Sequence, residues 1–382
     1  MNKSILLLTT PFRPNIGGVE THLDDLILEG TRQGYKFVVL TYQPLVTKAS
    51  DKTVEKGDGY VVYRLPWIKM NLFLRLGGYP VLEFLYLFPG LFLLATVFLA
   101  FQSSQVDVIH AQGLVAGVIG VFVGKVFKKP VIISTHSIYN FPKSGLYSNF
   151  VRLILNGCKH ILALSQQSQK EITDLGVPYK NVSVFTYWVN QNLFKPMDKV
   201  YARKRLRLPI NKFICLFVGR LVPEKGIQEL LSSAKMTRKE ITFLIVGDGP
   251  MADEVRNVAK KSSNVMFRGK VENNKLSLYY NAADVLLVPS VHDEGFGRVI
   301  LEALSCGLPV AAANRGGIRE AITDKVGVLI DITEENIKTT LEHLYLDRGQ
   351  LKYYSKNSVN YVKTHFGNKN ASMILEHYRD QV

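Results

Sequence analysis

Residues Pro289 to Pro309 read P-S-V-H-D-E-G-F-G-R-V-I-L-E-A-L-S-C-G-L-P, and their order decides the fold. The apolar run leading into them, Val285 to Val288, has the length and composition of a strand buried on both faces, as strands of parallel sheets are. From Gly297 to Ser305 apolar residues recur at helical spacing, and Gly307 with Pro309 ends the helix. The unit is strand, loop, helix, the repeating step of an α/β protein. Gly295 and Gly297 let the loop bring main-chain N–H groups close to a ligand, and the first turn of the helix adds partial positive charge there. An anionic ligand is expected at that end.

Glu294 stands in the loop and Glu302 eight positions later, with Arg298 and Glu302 four apart on one helix face. Two carboxylates beside a phosphate would repel it unless they were engaged with neutral hydroxyls. Sugar and ribose hydroxyls are such partners, since a carboxylate can accept from two neighbouring hydroxyls. The plainer alternative pairs Glu302 with Arg298 on a solvated helix and leaves Glu294 as a loop charge. With E-G-F-G between strand and helix and A-L-S-C-G-L-P-V after it, the stretch resembles the signature of the retaining glycosyltransferases of the large GT-B family that includes sucrose synthase and mannosyltransferases.

A chain of 382 residues, 47% of them apolar, is long enough for two α/β domains, each with its own core. Cys158, Cys215 and Cys306 stand far apart, so neither a disulfide framework nor a structural zinc site is indicated, and a reducing, cytosolic setting fits. The opening M-N-K-S-I-L-L-L-T-T-P-F has too short an apolar core for a signal peptide and reads as a first strand. A net charge of +15 admits nucleic acid, anionic lipid and diphosphate substrates alike. Its distribution says more: from Val61 to Lys170 there are ten Lys or Arg against two acids, Glu83 and Asp107.

Strand Ile5 to Thr9 leads through P-F-R-P-N-I-G-G-V-E-T-H into a helix, Val19 to Gln33, and a strand, Lys36 to Thr41, the opening of a doubly wound domain. Gly17 and Gly18 fall where such sheets bind ligands, at the carboxyl end of a strand. Residues Phe84 to Phe101 then run eighteen positions without a charge, at the lower edge of a membrane span, with Pro89 and Gly90 interrupting them. The expectation is a broken helix or hairpin, either buried under the domain as core or dipping into one leaflet with Phe84, Leu87, Leu91 and Phe92 on its docking face. Arg64, Lys69 and Arg75, interleaved with Tyr63, Trp67, Phe73 and Tyr79, suit an anionic bilayer surface. D-V-I-H-A-Q-G and K-P-V-I-I-S-T-H-S read as strands ending at His110 and His136.

The second half opens F-I-C-L-F-V-G-R-L-V-P-E-K-G-I, again strand, loop and helix, with Arg220 and Lys225 bracketing the loop after Gly219. Cleaving a glycosyl phosphate bond leaves negative charge on the departing diphosphate, and fixed cations stabilise it. G-R-L-x-x-E-K-G matches the diphosphate loop of the same family.

The resemblance covers nearly the whole chain and implies two Rossmann-like doubly wound domains facing a cleft. Residues 1–200 would form the acceptor side, with a C-terminal helix in 366–382 packing back on it, and 201–365 the nucleotide-sugar side. A polar, basic linker is expected at Lys195 to Lys212. By resemblance the catalytic residues are Arg220, Lys225, Glu294 and His136. Gly18, Gly219, the main chain at Lys270 and Val271, Gly295, Phe296, Gly297, Arg298 and Glu302 bind the donor, with Glu302 on the ribose diol. Gly17 and His110 lie on the acceptor side. Two departures stand out: Gln112 replaces the second histidine of the common D-V-I-H-A-H, and Thr186 to Asn190 replace P-N-G-V-D.

No D-x-D sequence occurs, so no metal and no cofactor beyond the nucleotide sugar is expected. The partners implied are a nucleotide sugar donor, a lipid or glycan acceptor and an anionic membrane surface on its cytosolic face, with no nucleic acid. Two rivals remain at this point: a nucleotide-sugar epimerase of the same fold, and a nucleic-acid binder motivated only by the charge.

Overall fold

Continuous apolar strands separated by amphipathic helices assemble into two parallel-stranded sheets in the computed structural model, which describes residues 3–15, 17–45, 52–68, 72–76 and 79–379. The chain divides into two compact units, Met1–Thr186 with Lys369–Val382, and Tyr187–Asn368.

The first unit holds β1 (Ser4–Thr9), β2 (Lys36–Tyr42), β3 (Val54–Gly57), β4 (Tyr60–Leu65), β5 (Val108–Gln112), β6 (Val131–Thr135), β7 (His160–Ala163) and β8 (Val182–Val184). They lie in the order β3-β4-β2-β1-β5-β6-β7-β8, parallel except for the edge strand β3. The connections carry α1 (Gly18–Arg32), the short α2 (Leu72–Leu76), α3 (Pro80–Gln102), α4 (Gly113–Phe127), α5 (Leu146–Asn156) and α6 (Gln166–Asp174). The strand order reverses between β1 and β5, and that switch point is where doubly wound sheets bind ligands.

The second unit contains β9 (Phe213–Val218), β10 (Ile241–Val246), β11 (Val265–Phe267), β12 (Val285–Val288), β13 (Val310–Ala313) and β14 (Gly327–Ile330), all parallel, in the order β11-β10-β9-β12-β13-β14. Around them lie α7 (Lys199–Leu206), α8 (Ile227–Met236), α9 (Ala252–Lys261), α10 (Asn273–Ala282), α11 (Arg298–Ser305), α12 (Ile318–Ala321), α13 (Glu334–Leu346) and α14 (Arg348–His365). Every residue of β12 is buried, as its apolar run requires. The switch point here falls between β9 and β12. It therefore brings the loop carrying Arg220 and Lys225 beside the loop carrying Glu294.

The last helix, α15 (Ser372–Arg379), belongs to the first unit. Lys3 Nζ donates to the carbonyls of Tyr378 and Arg379 at 2.9 and 2.7 Å, and the Tyr35 hydroxyl donates to Leu375 O at 3.1 Å. The division between units comes earlier than the basic stretch Lys195 to Lys212. That stretch is no open linker: its helix α7 packs on α10, and Arg203 inside it is buried, donating to Ala282 O at 2.8 Å and pairing with Asp284 at 2.7 Å. Tyr187 and Trp188, which replace the expected glycine, are core residues of the second unit.

The apolar run also departs from expectation, because α3 is one helix of 23 residues with Pro89 inside it. Proline withholds its own N–H and crowds the carbonyl one turn back, so a break was expected. Two aromatic side chains prevent it. The Tyr42 hydroxyl accepts from Leu91 N at 2.7 Å and donates to Leu87 O, and Trp67 Nε1 donates to Tyr86 O at 3.0 Å. Gly90 gives them access, since a Cβ there would meet the Trp67 ring at 2.7 Å and the Tyr42 oxygen at 2.8 Å.

Leu87, Leu91, Ala95, Phe98 and Leu99 of α3 are buried in the core, so Leu87 and Leu91 are not docking residues. The exposed side carries Val81, Leu82, Leu85, Leu93, Val97 and Phe101. Arg64 is likewise not a surface cation: it is 1% exposed and bonds Glu55 at 2.7 Å. Lys69 and the side chain of Arg75 lie outside the described residues.

Candidate active site

The second unit carries a charged cluster of its own. Lys225 Nζ lies 2.7 Å from Glu294 Oε2, and the Ser290 hydroxyl donates to Glu294 Oε1. Burial alone would raise the Glu294 carboxyl, but Lys225, Ser290 and Arg220 outweigh it and hold the group below its ordinary value of 4.5. Glu294 is thus ionised at neutral pH and flanked by the two cations expected to meet a diphosphate. The backbone builds this contact: a Cβ at Gly226, where φ is +69°, would sit 1.8 Å from Pro289 O, so the loops after β9 and β12 touch main chain to main chain. From behind, Gly317 N donates to Glu294 O at 2.8 Å and the Arg315 guanidinium to Val291 O.

Gly219, Gly247 and Gly269 end β9, β10 and β11, and Gly219 N and Gly247 N donate to Val246 O and Gly269 O at 3.1 and 2.9 Å. Lys270 is exposed and Val271 half-buried beside them. Gly295 and Phe296 are buried. The Phe296 ring belongs to the core, 6.3 Å from Tyr187 and 5.4 Å from Phe366, which leaves its main chain to meet a ligand. The aromatic residue that departs from the family pattern thus braces the Glu294 loop.

Glu302 is more enclosed than the sequence suggests. It is 3% exposed; Oε1 lies 3.4 Å from Arg298 Nε and Oε2 accepts from the Tyr280 hydroxyl at 2.8 Å. The plainer pairing with Arg298 therefore exists, but on a buried face. Tyr280 was not singled out from sequence, because it sits on another helix 22 residues away.

In the first unit, Gly17 and Gly18 open α1 at the carboxyl end of β1. His136 follows β6, and its Nε2 lies 2.8 Å from Gln112 Oε1. Gln112 thus holds this ring through a side-chain hydrogen bond. His22, buried on α1, was missed; its ring lies 5.7 Å from His136, and Phe185 packs on both. Its signal was the histidine four residues into the helix after G-G. Glu171 was also missed: it accepts from Tyr139 N and Phe141 N at 3.0 and 2.8 Å and so staples the loop after His136. His110 is no acceptor contact. It is fully buried, with Nδ1 2.6 Å from the Tyr378 hydroxyl and Nε2 2.8 Å from Ser134 Oγ, and it ties α15 to the sheet.

These neutral imidazoles make stability depend on pH. Burial lowers His110 and His136 to about 3, from an ordinary 6.5. Unfolding frees each ring to bind a proton, so their contribution is complete above pH 6.5 and is lost as pH falls from there to about 3. Each ring adds a slope of about 1.4 kcal/mol per pH unit. His136→Gln should flatten the decline by one proton in urea titrations below pH 6.5; an unchanged slope would mean that the ring is not held neutral.

Residues 199–361 match the family described as Glycosyl transferases group 1, and residues 16–192 match Glycosyltransferase Family 4. The chain belongs to the group 1 glycosyltransferases. A D-inositol 3-phosphate glycosyltransferase of Thermobispora bispora is 26% identical to this transferase over 73% of the chain and 72% of the relative. With other relatives of that description the transferase aligns over as little as 57% of their length. Sucrose-phosphate synthase from Thermosynechococcus elongatus superposes with a TM-score of 0.81 at 22% identity, covering 99% of each chain. Anabaena HepE in complex with UDP-glucose superposes at 0.78 and 20% identity, over 99% of this transferase and 100% of HepE. The transferase therefore has the GT-B fold, and that fold accounts for its two doubly wound sheets.

Proposed function

We propose that this group 1 glycosyltransferase moves a sugar from a nucleotide diphosphate sugar to a lipid or lipid-linked acceptor, retaining the anomeric configuration and using no metal ion. The observation that carries the donor reading is the ionised Glu294 set between Lys225 and Arg220 at the β9/β12 switch point. The bond between the anomeric carbon and the diphosphate oxygen breaks while the acceptor oxygen bonds to that carbon on the same face. The departing diphosphate oxygen takes the acceptor proton. Arg220 and Lys225 stabilise the charge that develops there. Glu294 accepts from the sugar hydroxyls and Glu302 from the ribose diol. The complexes of HepE with UDP and with UDP-glucose support a nucleotide sugar as donor.

The relatives named for inositol 3-phosphate favour a soluble acceptor, whereas the outer face of α3 favours a lipid. That face presents only apolar side chains among its exposed large residues, and α3 packs beside α4, which exposes Phe122 and Val126. No acid occurs between Asp107 and Glu171, a stretch with seven Lys or Arg, so the charge around these helices complements an anionic leaflet. We assign the protein a peripheral place on the cytosolic face of such a membrane.

The test incubates the protein with UDP-, GDP- and ADP-sugars, a lipid extract and EDTA. Transfer undiminished by the chelator, with a product whose linkage keeps the donor configuration by NMR, supports the reading. Inverted linkage or loss of activity with EDTA removes the mechanism. Interconversion of the donor sugar without any acceptor would favour the epimerase.

A further inference from the structure

Glu302 is held by two elements at once. Tyr280 on α10 donates to Oε2 at 2.8 Å, and Arg298, one turn earlier on α11, faces Oε1 at 3.4 Å. A carboxylate offers about four acceptor directions, so one such group can serve several donors at once. The Tyr280 hydroxyl is buried and its ring packs edge-on against Phe194 at 5.9 Å, which leaves the phenol little freedom to turn away. A buried ion pair of this kind adds little to stability compared with apolar packing, so its charge calls for a use beyond holding the fold.

We infer that Tyr280 is a positioning residue that aims the Glu302 carboxylate at the ribose hydroxyls and thereby sets a preference for ribonucleotide over 2′-deoxyribonucleotide donors. The inference rests on the reading of Glu302 as the ribose carboxylate. Tyr280 does not touch the ligand. It removes the rotation that would let Glu302 relax toward Arg298, so the two hydroxyls of the diol meet oxygens already in place. A site built to hydrogen-bond a hydroxyl discriminates strongly against the analogue lacking it, and the discrimination depends on how firmly its partner is held.

The experiment titrates UDP, GDP and ADP, each with its 2′-deoxy counterpart, into the full chain by calorimetry, and follows the base that binds most tightly. The wild type is expected to prefer the ribonucleotide by ~10-fold or more. Tyr280→Phe keeps the ring against Phe194 and should weaken the ribonucleotide alone, cutting the ratio to ~3-fold or less and raising the donor KM at unchanged kcat. Simple loss of packing would weaken both nucleotides alike and leave the ratio standing, which overturns the inference. A wild type indifferent to the 2′-hydroxyl overturns the Glu302 reading and this inference with it. If the Phe variant does not fold, Tyr280→Met is read by the same ratio.

Discussion

Alanine at Lys225 is expected to slow transfer by ~10²-fold or more and to lower the melting temperature, whereas alanine at Arg220 slows transfer to a similar degree and leaves the melting temperature near that of the wild type. The common loss follows from the charge that appears on the leaving diphosphate, which both cations are proposed to meet. The difference follows from what each side chain does before substrate arrives. Arg220 is exposed, but Lys225 forms a 2.7 Å ion pair with Glu294 whose two side chains are 24% and 16% exposed. Removing the lysine leaves a largely enclosed carboxylate without its cation, at a cost of about 1–3 kcal/mol. Adding Glu294→Gln to Lys225→Ala should therefore restore much of the stability and none of the activity. Scanning calorimetry and steady-state kinetics on the single and double variants read the two effects separately. Near-normal turnover of either alanine variant at saturating donor would remove that residue from the leaving-group role.

The second large effect is on membrane binding. Serine at Leu85, Leu93, Val97 and Phe101 together should release the protein from vesicles of phosphatidylglycerol and phosphatidylcholine while the fold survives. These side chains are 61%, 61%, 48% and 83% exposed, so the folded protein loses little packing when they are cut back. Full burial of such a side chain is worth about 1.5–3 kcal/mol, and even half of that at each of four positions lowers partitioning by roughly 10³-fold. Leu87→Ser with Leu91→Ser is the opposite control. Both side chains lie in the core, and opening a cavity lined with hydroxyls there should unfold the domain rather than detach it. Flotation and circular dichroism separate the cases. A wild type that ignores vesicles at low salt, or that instead dimerises through this face, would withdraw the lipid acceptor.

The strands and the motifs could be read from the sequence because their causes are local. Val285 to Val288 is buried because it is apolar along its whole length, and Gly226 and Gly297 mark turns whose positive φ suits glycine. What the sequence hid depends on partners distant along the chain. Pro89 and Gly90 argue for a break until Tyr42 on β2 and Trp67 just after β4 are seen to complete the helix. Arg64 looked like a surface cation because nothing nearby in sequence announces that Glu55 and the carbonyl of Arg13 enclose it. Gln112 looked like a defect in a motif, yet it is the partner of His136 across two neighbouring strands. Glu302 was placed on the correct helix, but its enclosure by Tyr280 belongs to the packing of α10 on α11.

The aromatic splice in α3 limits how deep the protein can sit in lipid. A helix of this length and mean hydropathy could be drawn lengthwise into a bilayer if it were free to leave its domain. Here two of its turns are completed by the side chains of Tyr42 on β2 and Trp67 just after β4, and pulling it out would take Leu87 O, Leu91 N and Tyr86 O away from those partners into a medium that offers no hydrogen bonds of its own. On the proposed membrane docking, the helix would therefore wet only its outer side, lying flat at the level of the headgroups like the keel of a shallow boat. An enzyme moored in that way would reach acceptors whose reactive end stands at the interface, and would leave the surface again without refolding.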